Sequence, residues 1–532
     1  MPDAFSFSEP DVVATMEEST HTVEPDTPFR IALMNDWSGR ANRGLSSEQS
    51  GAGTREPLLI DRDNFDEVMA SLRVSLRLPV ANENGALLTL SFQELDDFHP
   101  DRIFERVELF DALREMRERL ENDATFASAA REMRDWGGAK EPTGTTPLSE
   151  NRSAHAPNVF DAASSGSLLE QMLEEASGGT RAASQTSAQA SPASTQADDE
   201  LRALLREAVR PYLVSVDETQ QAELVASVDA ATSRLMRSIL HHTDFQALEA
   251  AWRAAHLLVS RLETGTDLKL YLIDLTKGEL VADLCAGEKV EATGVYKLLV
   301  EKSVNTFGGD LWSALIGGYT FDATRADIEI LERLAGIAER AGAPFIAASS
   351  SRVLGCESLA ETPDPDDWQT ALDAESREAW NALRRSPAAS YLGLSLPRFL
   401  LRLPYGAQTE PTEQFDFEEL PRNPPHENYL WGNTAFACAL LLGQAFTEHG
   451  LGMRPGSLQD IAGLPLHVFE DDEGDTYIKP CAETLLTMRA AERIMEEGLM
   501  PLLSFQGQDT VRLARFQSIA APPTPLAGRW KP

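Results

Sequence analysis

Residues 135–199 divide this chain in two. The stretch is rich in Ser, Ala, Thr, Gly and Gln and contains Ser177-Gly178-Gly179-Thr180 and then Ser184 to Gln196. Such a composition cannot bury enough apolar surface to offset the entropy of ordering the backbone. The reading is therefore a folded part over residues 1–134, a linker over 135–199, and a larger folded part over 200–518. A Pro-rich tail, 519–532, is not expected to form an ordered element. One island interrupts the linker at Ser167–Glu175. There Leu168, Leu169, Met172 and Leu173 make one apolar stripe at helical spacing. A helix this short has two readings, a recognition segment for a partner or a helix that packs on its own protein.

The first part opens with Phe29 to Met34, an apolar run of strand length, which ends in the turn sequence Asn35-Asp36-Trp37-Ser38-Gly39-Arg40. Leu87 to Phe92 is a second such run. Asp97 then reads as the cap of one amphipathic helix. Pro100 and Asp101 sit in its first turn, and Ile103, Val107, Phe110, Leu113 and Leu120 line one face. In the second part Leu201 to His256 is strongly helical. Leu268–Leu275 alternates like a strand, Ile328–Ala341 is helical, and Pro344–Ala348 and Tyr391–Leu396 read as buried strands. Thr434–Phe446 is apolar all round but too short to span a bilayer, which takes about 20 residues, so it reads as a buried helix. Helices alternating with apolar strands predict a mixed α/β (α+β) fold, sheets flanked by helices.

The charge narrows the partners. With 47 Lys and Arg against 84 Asp and Glu the net charge is −37, which repels phosphate backbones and anionic membranes. No nucleic acid and no membrane insertion are expected. Four separated cysteines, Cys285, Cys356, Cys438 and Cys481, fit reduced thiols in a cytoplasmic protein. No secretory signal is read at Met1–Glu9.

No chemistry emerges from the motifs. There is no Gly-x4-Gly-Lys-Ser/Thr loop, no Gly-x-Ser-x-Gly elbow and no His-Glu-x-x-His helix. Gly450 to Gly456 reads as a turn. His241 and His242, with Asp244 and Glu249 nearby, form the densest set of metal-ligand types, but adjacent helical residues point about 100° apart and do not converge. Asp471 to Asp475 reads as an exposed turn, since its spacing fails as a calcium loop. No catalytic residue, cofactor or metal is expected. Arg398 and Arg402 stand out as cations in an acidic chain and are expected to pair with carboxylates, inside the domain or across an interface. Trp312 and Trp431 lie next to glycines, where an aromatic ring can pack on bare backbone.

Several segments resemble the two subunits of the type VI secretion contractile sheath. Pro28 to Arg40, Ile60 to Met69 and Leu95 to Asp101 resemble the small subunit, in its order. Ile239 to Arg253, Phe307 to Trp312, Ala343-Pro344-Phe345, Leu396 to Gly406, Tyr429 to Asn433 and Arg515 to Ser518 resemble the large subunit. The resemblance implies a sheath-like fold of two interlocking parts and a structural role rather than an enzymatic one. In the family, small and large subunits pair, stack in rings around an inner tube and contract to push the tube outward. Terminal arms tie neighbours together by strand exchange. The implied partners are other sheath subunits or copies of the chain itself, the inner tube protein, the baseplate and the AAA+ unfoldase that recycles contracted sheath. The segment Ser167 to Glu175 resembles the helix that the unfoldase grips, and Arg398, Arg402, Trp312 and Trp431 become interface or structural candidates. The chain departs from the pattern by carrying both subunits on one polypeptide and by a large-subunit-like part that stops early, without the exchanged arm. Two further readings follow: a sheath-like accessory or cap on the sheath end or baseplate, and an unrecognised enzyme with a cleft near His241.

Overall fold

In the computed structural model of the chain, the described residues are 27–45, 51–79, 87–137, 221–304, 310–368, 372–470 and 473–530. The island Ser167–Glu175, with Leu168, Leu169, Met172 and Leu173, lies outside them, as does most of 135–220.

The elements run in this order: β1 (Phe29–Asn35), β2 (Leu58–Ile60), α1 (Phe65–Ser71), β3 (Val74–Pro79), β4 (Leu87–Phe92), α2 (Pro100–Arg106), α3 (Glu108–Glu121), α4 (Phe126–Gly137), α5 (Gln221–Leu240), α6 (Thr243–Arg261), β5 (Leu268–Asp274), α7 (Lys277–Cys285), β6 (Ala314–Phe321), α8 (Arg325–Ala341), β7 (Phe345–Ser349), α9 (Ala374–Arg385), β8 (Leu392–Leu396), β9 (Phe399–Leu400), β10 (Trp431–Gly432), α10 (Thr434–His449), β11 (Asp460–Ile461), β12 (His467–Glu470), β13 (Thr476–Lys479), α11 (Met488–Glu496), β14 (Met500–Ser504) and β15 (Val511–Leu513). Two compact units emerge: residues 1–110 with 232–532, and residues 111–231.

The first unit is built on a nine-stranded sheet, β11-β15-β14-β8-β7-β6-β1-β5-β2. From β14 through β8, β7, β6 and β1 to β5 every neighbour is parallel. β2 at one edge, and β15 and β11 at the other, run antiparallel to their neighbours. A parallel sheet covered on both faces needs continuous apolar strands, and β1 and β7 supply them. Ala32 and Met34 of β1 join the core that α7, α8 and α9 roof. Phe29, on the other face, stacks on Phe446 of α10 at 4.7 Å. This explains the all-round apolarity of α10: it is a buried core helix capped by the Asn433 side chain, which accepts from the Ala435 N–H at 2.9 Å. Among the described residues no helix is long and apolar enough to cross a membrane. α8 starts at the Thr324 cap and stops at Gly342, whose φ of 64° is the left-handed C-terminal conformation that glycine adopts without strain.

The second unit contains, among its described residues, the distal part of α3, α4 and the first half of α5. The Gln221 amide donates to the Leu120 carbonyl at 2.6 Å, Arg117 pairs with Asp229 at 2.8 Å, and Arg119 with Glu132 at 2.9 Å.

Two sequence expectations need correction. The helix after Phe98 is not capped by Asp97 and is not continuous. His99 Nδ1 accepts the Asp101 N–H at 3.2 Å, and Asp97 accepts from the Gln93 N–H at 2.6 Å. Val107 breaks the helix with φ −96° and ψ 115°, separating α2 from α3. The helical stretch read up to His256 is, over its described part, carried by two helices, since His242 leaves helical geometry to cap α6 through the Asp244 N–H, at 3.2 Å. The described part of the tail, residues 519–530, forms no helix or strand, yet it is ordered. Ile519 N–H donates to Leu392, Ala521 to Arg384 and Ala527 to Ser390, while Leu526 and Trp530 are buried. Backbone hydrogen bonds to β8, to α9 and to the turn before β8 hold what its composition alone does not.

Candidate functional site

The feature that defines this protein is the seat of β1. This strand belongs to the smaller, N-terminal part of the sequence, yet it lies between β5 and β6 of the larger part. It pairs with β5 from Phe29↔Leu268 to Asn35↔Asp274, and with β6 from Ile31↔Ala314 to Met34↔Gly317. Asp274 at the end of β5 closes the turn after β1. Its Oδ1 accepts the Trp37 and Ser38 N–H groups at 2.9 and 3.2 Å, and its Oδ2 accepts the Ser38 hydroxyl at 2.9 Å. Trp37 donates its indole N–H to Leu33 at 3.0 Å and accepts the Trp252 indole N–H at its own carbonyl at 2.9 Å. Arg30 emerges from β1 between two rings, 4.5 Å from the centre of Tyr271 and 4.4 Å from Trp312. Trp312 therefore packs against a cation of the N-terminal part, and a desolvated arrangement of this kind adds about 2 kcal/mol per good cation–π contact. Phe92 and Phe98 stack at 4.2 Å and both meet Phe245 of α6 edge-on, while Phe65 meets Trp252 at 5.5 Å.

Arg402 is placed at the root of a strap, residues 402–419, that leaves β9 and crosses to the N-terminal part. Its guanidinium is buried and forked on both sides. Nε donates to Glu249 Oε1 at 2.7 Å, Nη1 to Glu419 Oε2 at 2.7 Å, and Nη2 to Glu419 Oε1 at 3.0 Å. Arg253 supplies the second cation, donating to Glu249 at 2.7 Å and to the Tyr405 hydroxyl at 2.9 Å. Two guanidiniums thus face two carboxylates, and the buried cluster is neutral. Burial alone raises the Glu419 carboxyl, but the charge of Arg402, His241 beside it at 3.6 Å and the Tyr405 N–H outweigh that and hold it at about 2. The Arg402 guanidinium, although desolvated, is driven well above its ordinary value by Glu249 and Glu419. His241 and Glu249 therefore serve this cluster, and His242 is a helix cap. The tip of the strap is held by Asp101 of α2, which accepts the Glu413 and Gln414 N–H groups at 2.9 and 3.1 Å, and by Phe104 stacked on Phe415 at 4.6 Å.

The sign of the Glu419 shift fixes a pH dependence. Its folded value is depressed from 4.5 to about 2, so its contribution is complete above about pH 4.5 and is lost as pH falls through 2. Between about pH 5 and pH 2 the loss is about 3 kcal/mol. Urea unfolding of the native chain and of Glu419→Gln is expected to show a steep acid decline in the first and a shallower one in the second. Parallel declines would contradict the assignment.

Arg398 anchors a second cluster. It donates to Glu483 through its backbone N–H at 2.8 Å and Nε at 2.7 Å, and to Glu427 at 3.0 Å. His426 lies 3.3 Å from Glu483, 3.1 Å from the Lys479 ammonium, and stacked on Trp431 at 4.8 Å. Trp431 thus packs on an imidazole. Donor atoms of His426, Glu427 and Glu483 lie close enough to share an ion. Arg398 and Lys479 already sit on them, so this is an ion-pair cluster whose cations take the place of a metal. Both arginines flagged by the sequence are satisfied inside the chain. Their partners Glu249, Glu419 and Glu483 carry no local signal among 84 acidic residues.

Comparison with known proteins matches this arrangement. Residues 222–520 match the family described as EvpB/VC_A0108, tail sheath N-terminal domain, and residues 13–135 match the one described as Type VI secretion system, VipA, VC_A0107 or Hcp2. The chain is 35% identical over 316 residues to the type VI secretion system sheath protein TssC1 of Pseudomonas aeruginosa, covering 58% of this chain and 64% of that protein. It is 30% identical over 103 residues to the sheath protein TssB1 of the same organism, covering 19% of this chain and 58% of that protein. The chain thus spans less than two thirds of the length of each of these relatives. Two sheath proteins that are separate in that organism have their counterparts here on one polypeptide, clasped through β1, and the chain belongs to the type VI secretion sheath family as a fusion of its small-subunit and large-subunit types.

Proposed function

We propose that this protein is a structural component of the type VI secretion contractile sheath, forming or joining the helical sheath around an inner tube. The observation that carries the reading is β1, completed on both edges by strands of the other part. The clasp joins two subunit types in one protomer and leaves outward surfaces for neighbours. Fusion fixes their ratio at one to one and keeps their local concentration high. On this reading the protein works in the cytoplasm, assembles with copies of itself or with other sheath subunits, and meets the tube protein and the baseplate. Segment 167–175 would be the handle for a recycling AAA+ unfoldase. No catalytic role is assigned.

Electron microscopy of the purified chain over a concentration series tests this. Tubes or stacked rings are expected, alone or on addition of the tube protein. Discrete particles under every condition, from protein shown to be folded by circular dichroism, would overturn polymerisation and leave an accessory that caps the sheath end or baseplate.

A further inference from the structure

β1 explains how the two parts hold, but not which parts can hold each other. Its ladders to β5 and β6 are made by backbone, which carries no side-chain information. Apart from Arg30, its buried side chains are apolar, and apolar packing accepts many sequences of similar volume. Selectivity needs groups that tolerate only one kind of partner.

Beyond the end of β1 the seam between the parts is charged. The N-terminal part supplies Arg40 and Arg55, and the larger part supplies Asp274 of β5 and Glu279 of α7. Their side chains are between 10% and 17% exposed. Glu279 Oε1 takes Arg40 at 3.2 Å and Arg55 at 2.9 Å, while its Oε2 accepts the Thr276 N–H at 3.0 Å. Arg40 also reaches Asp274 at 3.6 Å. Asp36 adds a third carboxylate, which accepts the Arg40 and Ala41 N–H groups at 2.8 and 2.9 Å. Burial, joined by the charge of Asp274, pushes the Asp36 carboxyl up in spite of those bonds. Without the two arginines, three carboxylates would share this seam with no cation from the N-terminal part.

The backbone around Arg55 is held in place. It follows the turn Ala52–Thr54, which sits against Gly294 so closely that a Cβ on Gly53 would lie 3.1 Å from the Gly294 Cα. Lys302 donates to the Gly53 carbonyl at 3.0 Å, and Asp283 of α7 accepts the Gly294 and Val295 N–H groups at 3.0 and 2.8 Å. Arg55 therefore meets Glu279 from a fixed position. A wrong side chain there leaves a largely buried charge uncompensated, which is how an interface rejects a partner.

We propose that this seam decides which small-subunit-type part can seat on the larger part. A part that brings cations at positions 40 and 55 seats tightly, and one that brings neutral or acidic side chains there seats poorly. The proposal rests on the clasp through β1 and deepens the sheath reading by naming the contacts that choose the partner.

The test uses the full chain with a protease site between residues 138 and 220, folded first, labelled with one dye on each part, and then cleaved. Loss of energy transfer is followed after adding excess unlabelled cleaved chain. Arg55→Glu and Glu279→Arg are each expected to speed the loss at least about tenfold, and the two together to return to within about threefold of native. Unlabelled chain carrying both changes is expected to displace the native pair at least about tenfold less effectively than unlabelled native chain does. Arg55→Gln is expected to give a smaller loss in the same direction, so the test survives a charge reversal that fails to fold. Equal displacement by matched and mismatched chain, or no recovery in the double variant, would overturn the proposal. Native pieces that part at once on cleavage would defeat the clasp and the proposal with it. Native pieces that hold together but re-pair without regard to charge defeat the proposal alone.

Discussion

Leu33→Asp is expected to separate the two parts of the protein. Leu33 is fully buried at the centre of β1, paired with Leu272 on one side and Ile316 on the other. An aspartate there carries a charge into a sheet covered on both faces, with no cation beside it, at a cost of several kcal/mol. The strand has no better register to move to, because a slip by one residue turns every buried side chain to the opposite face. Its departure strips β5 and β6 of their central neighbour and breaks the contacts of Trp37 with Trp252 and of Arg30 with Tyr271 and Trp312. The readout is a protease site placed between residues 138 and 220. After cleavage the native pieces are expected to co-elute on gel filtration, as two subunits would, and the L33D pieces to elute apart. Leu33→Met, similar in volume, is expected to behave as native and guards against a trivial loss of expression. Native pieces that separate on cleavage, or L33D pieces that stay together, would defeat the claim that β1 is the clasp.

Arg402→Ala has the second-largest expected effect, about 3–5 kcal/mol of stability, the range for removing one partner of a buried ion cluster. The loss arises because Glu249 and Glu419 remain buried without the guanidinium they share, leaving Arg253 beside the first and His241 beside the second. The strap then loses its root at Tyr405 and Glu419, and Phe415 and Phe417 lose their seat near α2. Lysine does not rescue the site, since one ammonium cannot fork to two carboxylates. Arg402→Met combined with Glu419→Gln is expected to recover much of the stability, because the Arg253–Glu249 pair then remains and no unpaired charge is left inside. Urea midpoints measure the loss, and hydrogen exchange over 404–419 locates it. An R402A variant within about 1 kcal/mol of native would place the cluster in the class of surface ion pairs.

How far the sequence reaches is clearest at particular residues. Phe29 to Met34 is legible as a buried strand because a run of apolar residues between turn signals has few alternatives. The face of α6 formed by Phe245, Leu248 and Trp252 is legible from spacing alone, as are α8 and α10. Val107 is not legible as a break, since its apolar side chain continues the helical stripe while its backbone leaves the helix. Nor is His242 legible as a cap, because histidine rarely takes that role and gains it here by accepting the Asp244 N–H. The bond between the Tyr429 hydroxyl and His467 of β12 is not legible for another reason: the two residues lie on either side of α10.

Local pattern thus determined which segments are strands and which faces are apolar, since each depends on residues within a few positions of one another. Tertiary structure alone decided that β1 crosses more than two hundred positions to sit between β5 and β6, and which carboxylates hold Arg398 and Arg402. It also decided that the proline-rich end lies down on β8. The reason is that such choices are made by burial and charge compensation summed over distant parts of the chain. Many apolar strands and acidic side chains are chemically equivalent until the folded backbone makes one of them a neighbour.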